Sequence, residues 1–346
     1  MKISIGTKVK EGPWGGGNLF AKNLADFLKR NDHEVYNDLE ANDLDLILIT
    51  EPRKTSESSA YSHKDVIEYI NYVNDKVIVV HRINECDERK NTNFVNKYMI
   101  EANKVSDSTV FVSEWLKGLY IEQGMSPDNK HVILSGSDMK LFKANNNFLN
   151  NQKKLKLVTH HWGANWNKGF EIYQKLDELL KNENWNKILE FTYIGNLPKK
   201  FKFKNSRYLP PLSGKELVDE LNKHNSYITG SINEPSGNHH IEASLCGLPV
   251  LYIDSGGIPE YCKNYGVEYN SENIEEKLIY LLSNLETYSN KLKTYPFNSE
   301  RMCTQYLNLF ESLLSQRKNI VKNRDFSAEK NLLLQLKYRY INLIRK

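Results

Sequence analysis

The sequence lacks most of the features that would take it outside ordinary globular proteins. Its four cysteines, Cys86, Cys246, Cys262 and Cys303, are scattered without a Cys-x-x-Cys pair, which argues against a disulfide scaffold or a zinc ribbon and leaves free thiols. No apolar run approaches the ~18 residues a membrane span needs; stretches such as residues 46–49 and 77–80 are only four residues long. The N-terminus turns polar after Ile5 before any signal-peptide core forms, so a cytoplasmic chain is expected. Charge of one sign is scarce too: 47 basic residues against 43 acidic ones leave a net +4. That excess is local. Residues 317–346 hold nine basic and two acidic side chains, a net +7, so residues 1–316 carry −3. A nearly neutral body does not imply a nucleic-acid partner.

What the chain does have is enough apolar material for a core, at 40% of residues, and a length of 346, roughly twice the usual 100–200 residue domain. Strand and helix signals alternate. In the first part, strands are predicted at 2–6, 34–36, 45–50, 76–81 and 108–112, with helices at 18–29, 64–73 and 94–105 between them. Phe20, Leu24, Phe27 and Leu28 share one face of the first helix at the 3.6-residue period. A polar, asparagine-rich run then interrupts the pattern, and the alternation restarts at 156–160 and runs on to 274–285. This predicts an α/β protein of two doubly wound parallel-sheet domains facing across a cleft. The expected boundaries are 1–145 for the first domain, 146–154 for the linker, 155–315 for the second domain and 316–346 for a basic amphipathic tail.

The most informative segment runs from Asn233 to Val250. Glu234 follows a predicted strand, Pro235 to Gly237 form a turn, and a helix begins at Asn238, with Gly247 suited to ending it. In open α/β sheets, ligands bind at the carboxyl ends of strands and at the helix N-termini beyond them. Glu234 and Glu242 therefore belong on the binding rim, where each can accept hydrogen bonds from vicinal hydroxyls. A second turn, Gly256-Gly257, has backbone N–H groups suited to anionic oxygens.

Glu234-x₇-Glu242, then Cys246 to Val250, then Gly256-Gly257-Ile258-Pro259-Glu260, resembles the donor-binding signature of retaining GT-B glycosyltransferases of the family-4, or glycosyl transferases group 1, kind. Asn167-Lys168-Gly169 is similar to that family's diphosphate clamp, Gly15-Gly16-Gly17 to its glycine-rich loop, and Val110 to Ser113 to its mid-chain strand. The resemblance implies a nucleotide-sugar-binding second domain and an acceptor-binding first domain. It implies that Glu242 binds the ribose hydroxyls, Glu234 the hydroxyls of the transferred sugar, and Lys168 the leaving diphosphate. His81 matches an acceptor-side histidine, so Lys168, Glu234 and His81 are the expected catalytic residues. Ser236, Gly237, Asn238, His239, Gly16, Gly17, Asn165 and Gly257 join Glu242 in the expected donor site. Where the family usually carries arginine, five residues before the clamp lysine, this chain has Gly163. His161, Asn165, Trp166, or Arg82 from the facing domain, are the candidates to compensate.

Other readings of the same residues carry less. Gly15-x-Gly17-x-x-Phe20 lacks the third glycine of a dinucleotide loop, which disfavours NAD. Asp43-Leu44-Asp45 mimics a metal motif but lies at the wrong end of its strand, and the adjacent pairs His160-His161 and His239-His240 lack ligand partners at metal spacing. No metal and no cofactor beyond the co-substrate is expected. The expected activity is transfer of a hexose from a nucleotide sugar to a glycan or lipid-linked acceptor with retention. The alternatives are a nucleotide-sugar epimerase of the same fold and a non-catalytic binding subunit. In the tail, Leu332, Leu336, Tyr340 and Leu343 follow helical spacing among Lys330, Lys337, Arg345 and Lys346. Such a helix suits either docking on the protein itself or peripheral contact with the inner membrane face.

Overall fold

The computed structural model describes residues 1–10, 15–144 and 153–324, together with Leu334 and Leu336. The first domain runs β1 (Lys2–Ile5), α1 (Gly16–Arg30), β2 (Glu34–Tyr36), β3 (Leu46–Ile49), α2 (His63–Tyr72), β4 (Ile78–Ile83), α3 (Asp87–Lys90), α4 (Val95–Asn103), β5 (Ser108–Phe111), α5 (Glu114–Glu122) and β6 (Lys130–Val132). Its strands form one parallel sheet in the order β2-β1-β3-β4-β5-β6. The apolar run Leu46-Ile47-Leu48-Ile49 is wholly buried because helices cover both faces of the sheet.

The second domain continues with β7 (Leu155–His161), a 3₁₀ turn (Trp166–Lys168), α6 (Phe170–Leu179), α7 (Glu183–Ile188), β8 (Leu189–Gly195), β9 (Arg207–Leu209), α8 (Gly214–Leu221), β10 (Ser226–Thr229), α9 (Asn238–Leu245), β11 (Val250–Ile253), α10 (Ile258–Cys262), β12 (Val267–Tyr269), α11 (Ile274–Ser283) and α12 (Leu285–Leu292). Its sheet is also fully parallel, in the order β12-β11-β10-β7-β8-β9. Two doubly wound domains are thus present, as the alternation predicts.

The second domain ends earlier than expected. Helix α13 (Ser299–Ser315) sends Met302, Cys303, Tyr306, Phe310 and Leu313 into the first domain's core beside Phe20, Leu24 and Phe27. Helix α14 (Arg317–Lys322) follows it, with Ile320 and Val321 against the same core. Part of the basic excess has an internal use. Arg317 pairs with Asp45 at 2.6 Å, and Arg324 pairs with Asp107 at 2.7 Å. Asp43 pairs with Lys2 at 2.7 Å, so the Asp43-Leu44-Asp45 motif is occupied by cations at the amino end of β3. The expected linker lies largely outside the described residues. So do residues 325–346 of the expected tail, except Leu334 and Leu336. Among the described residues no helix is long and apolar enough to cross a membrane.

Two strand ends also shift. Strand β4 continues past His81 to Ile83, because Arg82 and Ile83 stay paired with Val110 and Phe111 of β5; the Arg82 guanidinium lies over the Phe20 ring, 3.8 Å from its centroid. Strand β10, for which the sequence pattern predicts residues 226–232, stops at Thr229, where Gly230 packs against Gly169.

Candidate active site

In the second sheet the strand order reverses between β7 and β10, so a crevice opens beyond their carboxyl ends. Lys168 and Glu234 come from the segments that follow those two strands. Gly169 must be glycine: its φ is +102°, and a Cβ there would lie 2.7 Å from the backbone of Gly230. That tight contact seats the 3₁₀ turn and turns the chain from Lys168 into α6. Gly237 is the second such position. With φ at +75°, it caps α9, and an added Cβ would meet His239 at 2.7 Å and Glu234 at 3.0 Å.

Lys168 and Glu234 meet directly, Nζ to Oε2 at 2.5 Å, with side chains 8% and 4% exposed. A third residue joins them from the first domain. Arg89, in α3, places Nε 3.0 Å from Oε1 of Glu234. Burial by itself would raise the Glu234 carboxyl, but Arg89 and Lys168 more than offset it and hold the group at about 2. Burial draws Lys168 below the ordinary lysine range, the Glu234 charge opposes this, and the nearby Arg89 charge adds to it. Arg89 is raised: burial works against its charge, but Glu234 and Glu85 outweigh that.

Glu242 faces inward from α9, with Oε2 2.9 Å from Nε2 of His160 at the end of β7. A carboxylate accepts there, so Nε2 carries the proton, an assignment made from the hydrogen-bond network. The His160 backbone N–H donates to the Tyr227 hydroxyl at 3.0 Å, and that oxygen lies 3.2 Å from His160 Nδ1. Tyr227 therefore fixes the imidazole that orients Glu242. His161 and His239 stand edge to face with ring centroids 4.6 Å apart, and burial holds both well below the ordinary histidine range. His240 is pushed down to about 4, again by burial first. These rings are neutral. They hydrogen-bond locally, His161 to the Tyr173 hydroxyl at 2.7 Å and His239 to Thr229 at 2.8 Å. Among the described residues no group of three His, Cys, Asp or Glu side chains is disposed to hold a metal.

Several other expected residues gather at the same seam. Ser236 accepts a 3.2 Å hydrogen bond from Ser135 of the first domain. Gly16 faces Asn238 closely enough that a Cβ on it would be 3.2 Å from the amide nitrogen. Gly17 and Asn165 are partly or fully open to solvent. Gly257 is different: its N–H donates to the Glu234 carbonyl at 2.9 Å, so it shapes the loop under Glu234 and does not face the cleft as a free donor. His81 does not reach this cluster. It is fully buried within β4, its Nδ1 lies 3.3 Å from Asn103 Nδ2 inside its own domain, and burial lowers it to about 3. Arg82 likewise stays under Phe20 and supplies no cation to the cleft.

The sequence reading missed Arg89, His160 as the partner of Glu242, and Tyr227. Arg89 sits in Asp87-Glu88-Arg89-Lys90, which reads as a solvated charge run, so no local signal marks it. The His160-His161 pair was visible, but only its pairing with Glu242 gives it a task.

Residues 194–295, from the end of β8 to beyond α12, match the family described as Glycosyl transferases group 1, a stretch that includes Glu234 and Glu242. No curated protein matches the chain in sequence. Solved structures align over nearly its whole length. Anabaena HepE, in complex with UDP-glucose, aligns with a TM-score of 0.66 at 14% identity, over 90% of this chain and 100% of HepE. The fold is GT-B. Sucrose-phosphate synthase from Thermosynechococcus elongatus aligns at 0.60 and 14% identity over 91% and 99% of the two chains. A glycosyltransferase from Rickettsia africae aligns at 0.55 and 16%, over 91% and 84%. At such identities the likeness speaks to the GT-B architecture, with a cleft between two Rossmann-like domains.

Proposed function

We propose that this GT-B protein is a glycosyltransferase that moves a hexose from a nucleotide-diphosphate sugar to a hydroxyl of a glycan or lipid-linked acceptor, with retention of the anomeric configuration. The observation that carries the reading is a buried lysine and a carboxylate joined at 2.5 Å beyond the strand-order reversal of the second sheet. The group 1 match across Glu234 and Glu242 supports it, as does HepE, solved with UDP-glucose and with UDP and glucose.

In this reading the donor's ribose hydroxyls donate to the Glu242 carboxylate, which His160 orients. Lys168 neutralises charge that builds on the diphosphate as the bond from the anomeric carbon to the phosphate oxygen breaks. A new bond forms from that carbon to the acceptor oxygen, and the acceptor's proton leaves on a phosphate oxygen of the departing nucleoside diphosphate. Closure of the two domains excludes water, which limits hydrolysis of the donor. Lysine supplies the charge that a divalent metal supplies elsewhere, so the transfer is expected to survive EDTA.

The test is incubation of the purified full chain with a panel of nucleotide sugars and hydroxyl acceptors, following free nucleotide and the anomeric signal of the product by NMR. Nucleoside diphosphate released in step with a glycoside of unchanged anomeric configuration supports the proposal. An inverted product overturns retention, a changed sugar without nucleotide release points to an epimerase, and binding without turnover points to a non-catalytic subunit.

A further inference from the structure

Two cations from opposite domains share the single charge of Glu234, each on its own carboxylate oxygen: Lys168 at 2.5 Å and Arg89 at 3.0 Å. A phosphate held by two cations presents oxygens in much the same way. The surrounding charges leave room for one. Arg53 pairs with Glu51 and with Glu85, and Lys90 pairs with Glu85 at 2.7 Å. Counting Lys168, Arg89 and Glu234 with them, this ion-paired network sets four cations against three carboxylates, with Lys90 37% exposed at its edge. At its buried end, Lys168 and Arg89 share the one charge of Glu234, which suits an additional anion.

The second domain has a vacant position beside its lysine. A Cβ built on Gly163 would lie 3.4 Å from Lys168 Cε, so a side chain at 163 would run alongside the ammonium stem, and glycine puts nothing there. The second cation comes instead from across the cleft. The turn that carries it is seated on the second domain, with Asn167 donating to the Arg89 carbonyl at 3.2 Å and Asn233 to the Glu88 carbonyl at 3.4 Å.

We propose that Arg89 is the second phosphate-binding cation of the site, holding a nucleoside diphosphate together with Lys168 from the opposite domain. Glu234 is the internal anion that occupies both cations until the diphosphate displaces it, and displacement frees its carboxylate for the hydroxyls of the transferred sugar. The diphosphate then takes over from Glu234 the bridge between the two domains, because its two cations belong to different domains. This inference rests on the nucleotide-sugar reading.

The experiment uses the full chain and titration calorimetry with UDP, GDP and ADP, each beside its monophosphate, and follows the pair that wild type binds most tightly. Arg89→Ala is expected to weaken the diphosphate on the order of 10-fold, the scale of one charge-assisted hydrogen bond. The monophosphate should change much less, so that the ratio of the two affinities falls. Arg89→Lys should fall between the two proteins, and Arg89→Ala combined with Gly163→Arg should recover most of the ratio. Thermal unfolding checks that each variant folds, and Arg89→Lys carries the test if the alanine variant does not. An unchanged ratio in Arg89→Ala, with wild type binding the diphosphate, overturns the role of Arg89 and leaves the nucleotide-sugar reading standing. A loss that neither Arg89→Lys nor the Gly163→Arg combination restores marks a purely structural contact and also overturns it. Wild type that binds none of these nucleotides overturns both readings.

Discussion

Replacing Lys168 by methionine removes the charge while keeping most of the volume of the stem. The structure sets two magnitudes for this change. The first concerns stability: Lys168 and Glu234 are 8% and 4% exposed and 2.5 Å apart, and breaking a buried pair costs about 3–5 kcal/mol when the remaining charge is left alone. Glu234 is not left alone, because Arg89 stays on its other oxygen at 3.0 Å. The expected loss is therefore below that range, roughly 2 kcal/mol. The second concerns rate. Negative charge on the leaving diphosphate is greatest in the transition state, so the turnover number should fall more than the Michaelis constant rises, by on the order of 10²–10³. Steady-state nucleotide release at varied donor concentration gives the two kinetic parameters, and urea unfolding gives the stability. A folded Lys168→Met protein that turns over within a factor of two of wild type would refute the role of Lys168 on the leaving group.

Three further outcomes follow from other contacts. Glu242→Ala should weaken nucleotide binding by about 1–3 kcal/mol, because the ribose hydroxyls lose an acceptor that His160 and Tyr227 hold in place; calorimetry showing equal affinity would remove Glu242 from the donor site. Glu234 lies at about 2 in the fold against an ordinary 4.5, so it contributes about 3 kcal/mol that is fully present above pH ~4.5 and lost as pH falls toward ~2. The unfolding free energy of Glu234→Gln should accordingly drop less steeply than that of wild type between pH 5 and ~3, and parallel curves would contradict the assigned shift. Arg324→Ala should destabilise the protein by about 3–5 kcal/mol, since its guanidinium holds both oxygens of the 3%-exposed Asp107 and the Val77 carbonyl; a chemical-denaturation loss under ~1 kcal/mol would show that the pair contributes little.

The sequence by itself determined the layered architecture and the rim of the site. Strand and helix periodicity is a local property, so the alternation in both halves was legible, as was the helix that starts at Asn238, as the segment predicts. Glu234 and Glu242 were legible for the same reason, because they flank a turn and a helix start that mark themselves in the sequence, whereas Lys168 stood out only through its resemblance to the diphosphate clamp of group 1 glycosyltransferases. Tertiary structure alone decided how those residues meet and which others join them. Lys168 reaches Glu234 across 66 residues of chain and His160 reaches Glu242 across 82, and neither separation leaves a periodic trace. It also turned His81 into the first domain's interior, used Arg82 to cover Phe20, and returned α13 to the first domain's core. Arg89 shows the limit most clearly. A basic residue in a short polar turn looks the same whether it faces solvent or a buried carboxylate, and only the approach of the other domain distinguishes the two, because the desolvation that makes the ion pair matter is created by packing between segments distant in the chain.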